Sequence, residues 1–584
     1  MHGFVRILVG GMLAMAMTNA VRGNENRIVV SEEYVVLSNL EWVEFEVIVP
    51  SGTYEVWVTS GGNDTRQCAR LSIDGGEPVL IIDEREPAKG LPPREREKVS
   101  VRQLVGVVSL KRGKHFFKVQ HAGEAGFSVA FGLERIELLR TKDIVGKKVI
   151  KVGSQRKPSP RAKEPWESKE FIPAPKWWQK EEVYAGFYDR LNDGALKRIK
   201  DKGLRVVVIG CDEIARGELR HWANVAHELG LKVLPYVSFH TWRWRFSAEE
   251  GKERLADADL VSSFKFAQRH RGELRWLEYW ALADHPEWML LNAEGKTVSP
   301  FNPDYQAGSI REPCIDAEGV VDACLSLVKL LMDEGADGIF VDNVHPTEVC
   351  YGEKFGLHKH LHPNWTNAAA YKELLRQVRA LVKRYGKEKI VMLNSGSPQK
   401  RFAGVGDSLM WESFLFDGSD EPKMRFEQVL GAKRYWDSYI KAGGTIAVLS
   451  YVGGTTSEEK KQNAFYAYAC AKLCGFHFSD WFSADGTGAE VLYRIRLGKP
   501  LGDVEVREGV YLRKFVNGFV VVNPEGDGQP KETVAKIPSR TLSFAVPSHW
   551  REVVDMYDGT IIPVKGGKVT ISIPAMSGRV FVSK

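Results

Sequence analysis

The chain has 584 residues, 43% hydrophobic and 27% charged, which excludes a disordered scaffold and leaves room for three or four domains. Lys and Arg number 81 against 75 Asp and Glu, a net charge of +6 that is too balanced for a nucleic-acid binder. Seven cysteines, odd in number and scattered, give no disulfide framework.

The N-terminus carries His2 and Arg6, an apolar stretch from Ile7 to Met17, and small residues around Ala20. This is the pattern of a cleaved export signal over residues 1–22, so the chain is expected to be secreted. The apolar stretch is too short to span a bilayer, so no stable membrane insertion is expected after cleavage.

Residues 24–140 alternate as short strands, with turn signals such as Ser60-Gly61-Gly62-Asn63-Asp64 between them. The succession Tyr54-x-Val56-x-Val58, Leu71-Ser72-Ile73-Asp74-Gly75 and Leu133-Glu134-Arg135-Ile136-Glu137-Leu138 resembles the jelly-roll β-sandwiches that serve as carbohydrate-binding modules. A structural cap on the next domain is the alternative. Residues 141–180 are rich in Lys, Arg and Pro without apolar periodicity, as in a basic linker or an extended strap.

From 181 to 488 apolar strand runs alternate with helical patterns, the signature of a parallel sheet covered by helices. The expected strands are 183–188, 205–210, 232–238, 338–342, 389–394, 408–413, 445–451 and 475–479, the count for a (β/α)8 TIM barrel. The third connection, His240 to about Glu312, is too long for an ordinary loop and holds Trp242, Trp244, Trp276, Tyr279, Trp280, Trp288, Phe301 and Tyr305. Some of those rings are expected to stack on sugar faces. Residues 489–584 return to strands as a C-terminal antiparallel β-domain, and Asn517-Gly518 predicts a hairpin turn with positive φ.

A parallel barrel presents its chemistry at the C-terminal strand ends. Asp342 ends the apolar run Gly338-Ile339-Phe340-Val341, and Glu412 follows Leu409-Met410-Trp411. Two such carboxylates suit cleavage of a glycosidic bond, one protonating the leaving oxygen and one meeting the developing positive charge. Apolar surroundings favour Glu412 as the protonated donor, which leaves Asp342 as nucleophile or base, the two roles being exchangeable. Asp189, Asp212, His240, Trp242, Asn343, His345, Asn394, Trp411 and Tyr451 are the expected substrate contacts. No cofactor and no metal is expected. The run His358-Lys359-His360-Leu361-His362, with His345 and Cys350 upstream, invites a metal reading, but it follows no recognised ligand pattern and a solvated loop edging the cleft is the preferred reading.

Asp337-Gly338-Ile339-Phe340-Val341-Asp342-Asn343 resembles the fourth barrel strand of glycoside hydrolase-like families related to endo-α-1,4-polygalactosaminidase and, more remotely, of the α-amylase superfamily. His285-Pro286-Glu287-Trp288, Met392-Leu393-Asn394-Ser395-Gly396 and Trp411-Glu412-Ser413-Phe414 are similar to the same group. The resemblance implies a poly- or oligosaccharide substrate, an α linkage, and the catalytic pair Asp342 and Glu412. Many amylase-type enzymes take their acid from the fifth strand, whereas Glu412 belongs to the sixth. An inactive glycan-binding barrel, or a metal-dependent hydrolase using Asp212, Asp342 and neighbouring histidines, are the competing readings.

Overall fold

The computed structural model describes the chain from residue 165 to 584 except for 189–190, 211–217, 241, 244–284, 299–309, 346–348 and 363–364. Before residue 165 it describes 6–9, 12–14, 27–31, 35–37, 42–60, 68–74, 79–82, 101–121 and 131–142. The chain divides into two compact units, one built from residues 1–164 with 347–349, the other from the remainder.

In the first unit, antiparallel strands form a six-stranded and a five-stranded sheet. Gly52–Ser60 shows the reason: Tyr54, Val56 and Val58 are buried while the residues between them are not, the period of two that a half-buried strand requires. Arg6–Val9 and Met12–Ala14, inside the expected export signal, lie at one end of the six-stranded sheet. Loss of that segment would leave the other four strands paired.

The second unit centres on a curled, all-parallel, eight-stranded sheet whose strands follow one another in chain order. They are β1 Ala185–Tyr188, β2 Val206–Ile209, β3 Lys232–Val237, β4 Gly338–Val341, β5 Ile390–Asn394, β6 Ser408–Trp411, β7 Thr445–Leu449 and β8 His477–Ser479. Its edge strands are joined just ahead of β1, where Val183 bridges Phe478 and Tyr184 N donates to Phe478 O at 3.1 Å. Each expected strand is therefore present to within two or three residues at its ends.

Alternation along these strands sorts the core into two layers. Val206, Val208, Leu234, Phe340, Ile390, Met392, Met410, Ala447 and Leu449 form one cluster, inside the curl. Val207, Ile209, Val233, Ile339, Val341, Val391, Leu393, Leu409, Ile446 and Val448 belong to a second, with the helices. A run of consecutive apolar residues is thus buried on both faces, at about 1.5–3 kcal/mol per large side chain.

Residues 165–180 are not a linker but the strap that the sequence left as its alternative. Trp178, fully buried, joins the inner cluster, and its indole donates to Thr445 Oγ1 at the N-terminal end of β7 at 3.0 Å. Trp166 packs edge-on against Tyr439. Trp178 closes the end of the sheet opposite the strand C-termini, while Trp166 packs in the outer layer with Trp436 and Tyr439, which explains why a polar, Pro-rich segment carries such rings.

The helix α1 Ser457–Cys474 is buried along every residue from 464 to 474. It lies between the parallel sheet and the C-terminal strands, close enough that a Cβ on Gly578 would meet Tyr466 Cα at 2.7 Å. Thr456 and Glu459 close its N-terminus as a capping box, while Arg513 Nη1 donates to the carbonyls of Lys472 and Leu473 at its C-terminus. The C-terminal domain pairs six strands in one sheet and two in another. Its expected hairpin joins Val510–Phe515 to Gly518–Asn523, but the two connecting residues are Val516 and Asn517, and neither they nor Gly518 has positive φ. Gly518 is required instead by close approach, since a Cβ there would meet Phe581 O at 2.1 Å.

Removing the plug should be costly. Trp178→Ala is expected to destabilise the second unit by about 3–5 kcal/mol, read from the midpoint of its chemical denaturation.

Candidate active site

The same alternation that builds the inner layer places four polar residues one step above it. Asp342 follows Phe340, Asn394 follows Met392, Glu412 follows Met410 and Tyr451 follows Leu449, each two residues on and so on the same face. Strand register sets Asp342 beside Asn394, since Phe340 stands opposite Met392, and then staggers the next two upward: Asn394 is opposite Met410, two residues before Glu412, and Met410 is opposite Ala447, four before Tyr451. They line a cavity of about 230 Å³ with Tyr184, Tyr236 and Trp481 at the C-terminal end of the sheet.

Asn394 ties the two acids together. Its Nδ2 donates to Asp342 Oδ1 at 2.7 Å and to Glu412 Oε2 at 2.8 Å. Since one nitrogen serves both, the accepting oxygens are no more than about 5.5 Å apart. The amide cannot turn over without loss, because its Oδ1 accepts from Gly396 N at 3.0 Å. Tyr236 Oη donates to Asp342 Oδ2 at 2.7 Å, Asn343 Nδ2 donates to the same oxygen at 3.1 Å, and Tyr451 Oη donates to Glu412 Oε1 at 2.7 Å. Among the described residues no cation pairs with either carboxylate.

Acids at the opposite ends of the same strands are treated differently. Asp337 and Asp407 lie five positions before Asp342 and Glu412, an odd step that turns them to the other face. Asp337 meets His227 at 2.8 Å, Lys389 at 3.3 Å and Lys232 at 3.4 Å, and Asp407 meets Arg379 at 2.7 Å and Lys383 at 3.0 Å. Burial works against the Asp337 carboxylate, but His227, the Val233 amide and the two lysines outweigh it and hold its pKa below the ordinary value. Burial, reinforced by the charge of Glu412, pushes Asp342 the other way, above the ordinary value, against the hydrogen bonds from Tyr236 and Asn394. Burial and then Glu412 also raise the Tyr451 phenol, which therefore stays a donor.

Backbone strain gathers on this rim. Asn343, Ser413 and Trp481 have φ of 55°, 55° and 49°, in the left-handed region, and each stands directly after a strand-end acid, namely Asp342, Glu412 and Asp480. The buried carboxylate of Asp480 accepts from Phe482 N at 3.0 Å and from the Tyr493 hydroxyl, which anchors the turn that aims Trp481 at the cavity. Burial first, against the Tyr493 hydrogen bond, pushes Asp480 up to about 6.

Of the residues expected to contact substrate, the structure brings Asn343, Asn394 and Tyr451 to the acid pair. His240 is buried, its Nε2 lies 3.1 Å from Glu312 Oε2, and it is not among the residues lining the cavity. His345 packs on His240, and burial holds it neutral, with a pKa of about 4. Trp411 falls on the outer face by parity and stacks edge-on against Phe414 rather than into the cavity. Trp242 is described only as backbone, pairing with Arg311, and Asp189 and Asp212 lie outside the described residues. So do Trp244, Trp276, Tyr279, Trp280, Phe301 and Tyr305, whereas Trp288 is buried against His285 and Gly319. Tyr236 was not anticipated, although two-residue counting from Leu234 would have turned it inward.

A larger cavity, about 450 Å³, lies between the sheet's rim and the C-terminal domain. Of the four acids that line it, Glu459 is bound by Thr455, Thr456 and Lys531, and Asp527 by Phe426 N; the other two are Asp420 and Glu421. The two classes of strand-end acid should respond oppositely to neutralisation. Asp337→Asn is expected to lower unfolding free energy by about 1–3 kcal/mol, discounted for its half-exposed partners. Asp342→Asn should leave stability unchanged or raise it at neutral pH. A pKa raised on folding means that the ionised form costs stability, so the gain should vanish as pH falls below the ordinary aspartate range. Denaturant titrations across pH check both.

A model of hypothetical glycosyl hydrolase family 15 matches residues 260–519, the stretch that carries Asp342, Asn394, Glu412, Tyr451 and Trp481. No curated protein matches the chain. Among solved structures, an Anoxybacillus α-amylase is 11% identical over 70% of this chain and 98% of its own, with a TM-score of 0.41. An α-amylase from Geobacillus thermoleovorans is 9% identical over 70% and 99%, with a TM-score of 0.42. A Nostoc punctiforme debranching enzyme is 14% identical over 70% and 100%, with a TM-score of 0.41. The family match supports a glycoside hydrolase-like chain; the narrower likeness to polygalactosaminidase rests on the sequence motifs alone.

Proposed function

We propose that the chain is a secreted glycoside hydrolase that cleaves α-linked poly- or oligosaccharides with retention of anomeric configuration, on a (β/α)8 barrel. The observation that carries this reading is the single amide of Asn394 spanning both acids, with oxygens no more than about 5.5 Å apart. A retaining pair stands about 5–5.5 Å apart, whereas inversion needs about 6.5–9.5 Å to admit water between carboxylate and sugar.

Asp342 is the nucleophile. Three neutral donors, Tyr236, Asn343 and Asn394, orient its carboxylate and favour the anion without neutralising it. Glu412 is the acid and then the base. It protonates the glycosidic oxygen as Asp342 attacks the anomeric carbon, which gives a glycosyl ester on Asp342 and frees the leaving alcohol. Water, deprotonated by Glu412, then attacks the same carbon and releases the Asp342 carboxylate with the sugar. Tyr451 keeps Glu412 in place through both steps, and Trp481, partly exposed beside Tyr451, offers an aromatic face to the sugar.

The α linkage rests on the fourth-strand motif, and secretion on the N-terminal sequence pattern. The strands before residue 140 fit an accessory carbohydrate-binding role by the same motif reading. No helix among the described residues is long and apolar enough to cross a membrane.

The test is leaving-group dependence on a panel of α-glycosides. Glu412→Gln should lower kcat/KM on unactivated substrates by about 10²–10⁴-fold yet largely spare kcat/KM on dinitrophenyl glycosides, whose leaving group needs no proton. Asp342→Asn should lose both. With the activated substrate, the acid limb of kcat/KM, set by ionisation of Asp342, should persist in Glu412→Gln. Proton NMR should show the retained anomer first; an inverted first product, or equal losses on both substrate classes in Glu412→Gln, would overturn the assignment.

A further inference from the structure

Apart from the acid pair, four side chains from distant parts of the sequence converge. The Sγ atoms of Cys314 and Cys350 and a ring nitrogen from each of His358 and His360 all lie within 4.8 Å of one another. Cys314 is fully buried and the other three are half-buried. The histidine run that reads in sequence as a solvated loop is thus folded over two thiols. Its outer members go elsewhere: His345 packs on His240, and His362 pairs with Asp316 at 2.7 Å.

Hydrogen bonding fixes which nitrogen of each ring faces the thiols. His358 Nδ1 is 2.6 Å from the carbonyl oxygen of Glu287, which can only accept, so that nitrogen carries the proton. Its Nε2 therefore turns a lone pair toward Cys350 Sγ, 3.4 Å away. His360 repeats the arrangement, with Nδ1 3.4 Å from a Glu353 carboxylate oxygen and Nε2 buried without a hydrogen-bond partner among the described residues. A carbonyl or carboxylate behind the distal ring nitrogen is the support that metal-bound imidazoles have. Gly352 N donates to Cys350 Sγ at 3.3 Å, and Gly352 has room for nothing larger, since a Cβ there would meet the His358 ring at 2.2 Å. A tetrahedron with Zn–S near 2.3 Å and Zn–N near 2.05 Å has S···N edges of about 3.6 Å, close to the separation of Cys350 and His358.

We infer that Cys314, Cys350, His358 and His360 form a structural zinc site. Two thiolates and two imidazoles complete a tetrahedral shell with no position left for substrate or water, so the ion is a staple rather than a reagent. Zinc displaces the thiol protons of the two cysteines to solvent as it binds. The site joins the long third connection to the loop after β4, at a place already threaded by Cys314 N to Trp288 O at 2.7 Å, Tyr351 N to Leu291 O at 2.8 Å and Leu361 N to Asp316 O at 3.0 Å. It therefore braces the segments on either side of the strand that carries Asp342.

The test uses the full-length protein and no glycoside, so it stands or falls apart from the proposed hydrolysis. Protein produced with zinc under reducing conditions should contain one zinc per chain by inductively coupled plasma mass spectrometry. Cobalt exchanged into the site should show the d–d bands of a tetrahedral centre and a thiolate charge-transfer band. Cys314→Ser and His360→Ala should each weaken zinc binding at least tenfold, Glu353→Gln by about tenfold through the outer shell, and Cys324→Ser, outside the cluster, should leave it unchanged. Chelation should lower Tm. Less than one-fifth of an ion per chain in zinc-supplemented wild type, a cobalt spectrum without thiolate charge transfer, or a Cys314–Cys350 disulfide in the reduced preparation would overturn the site. The wild-type measurements decide even where a variant fails to fold.

Discussion

The arrangement at the rim depends on one amide. Asn394 holds two carboxylates within a few ångströms and supplies each with a proton donor but no charge. Like charges this close resist joint ionisation, and a cation between them would relieve the resistance at the cost of the chemistry. Neutral donors leave the tension in place while fixing the geometry. The fold accepts that burden because the donors are themselves fixed, Asn394 by Gly396 N and Tyr236 by its position two residues beyond Leu234 on the inner face.

The acids at the other end of the same strands show what a purely structural carboxylate looks like. Asp337 and Asp407 are surrounded by Lys, Arg and His, take backbone amides as well, and face the helices. A strand beginning and ending in an acid thus carries two opposite functions, separated by an odd number of residues. Strained backbone follows the same polarity: the left-handed Asn343, Ser413 and Trp481 all stand at the C-terminal rim.

Support for that rim comes from below and beside it. Trp178 and the inner apolar layer fill the sheet's far end, so the polar layer has a solid floor. The Cys2His2 cluster ties the long connection ahead of β4 to the loop that follows it. Long insertions bury little apolar surface per residue, and a metal cross-link supplies order that packing alone does not.

The sequence by itself determined the parallel sheet, because eight apolar runs separated by helical patterns have few other ways to bury both faces, and it determined Asp342 and Glu412 as strand-end acids. Parity counting would also have turned Tyr236 inward and Trp411 outward, since a strand's side-chain period is fixed at two. Only the tertiary structure decided that Asn394 touches both acids, that His240 belongs to Glu312, and that residues 165–180 plug the sheet rather than link domains. Cys314 is the clearest case: its partners lie 36 to 46 positions further on, and chain spacing carries no record of contacts that depend on how two loops cross.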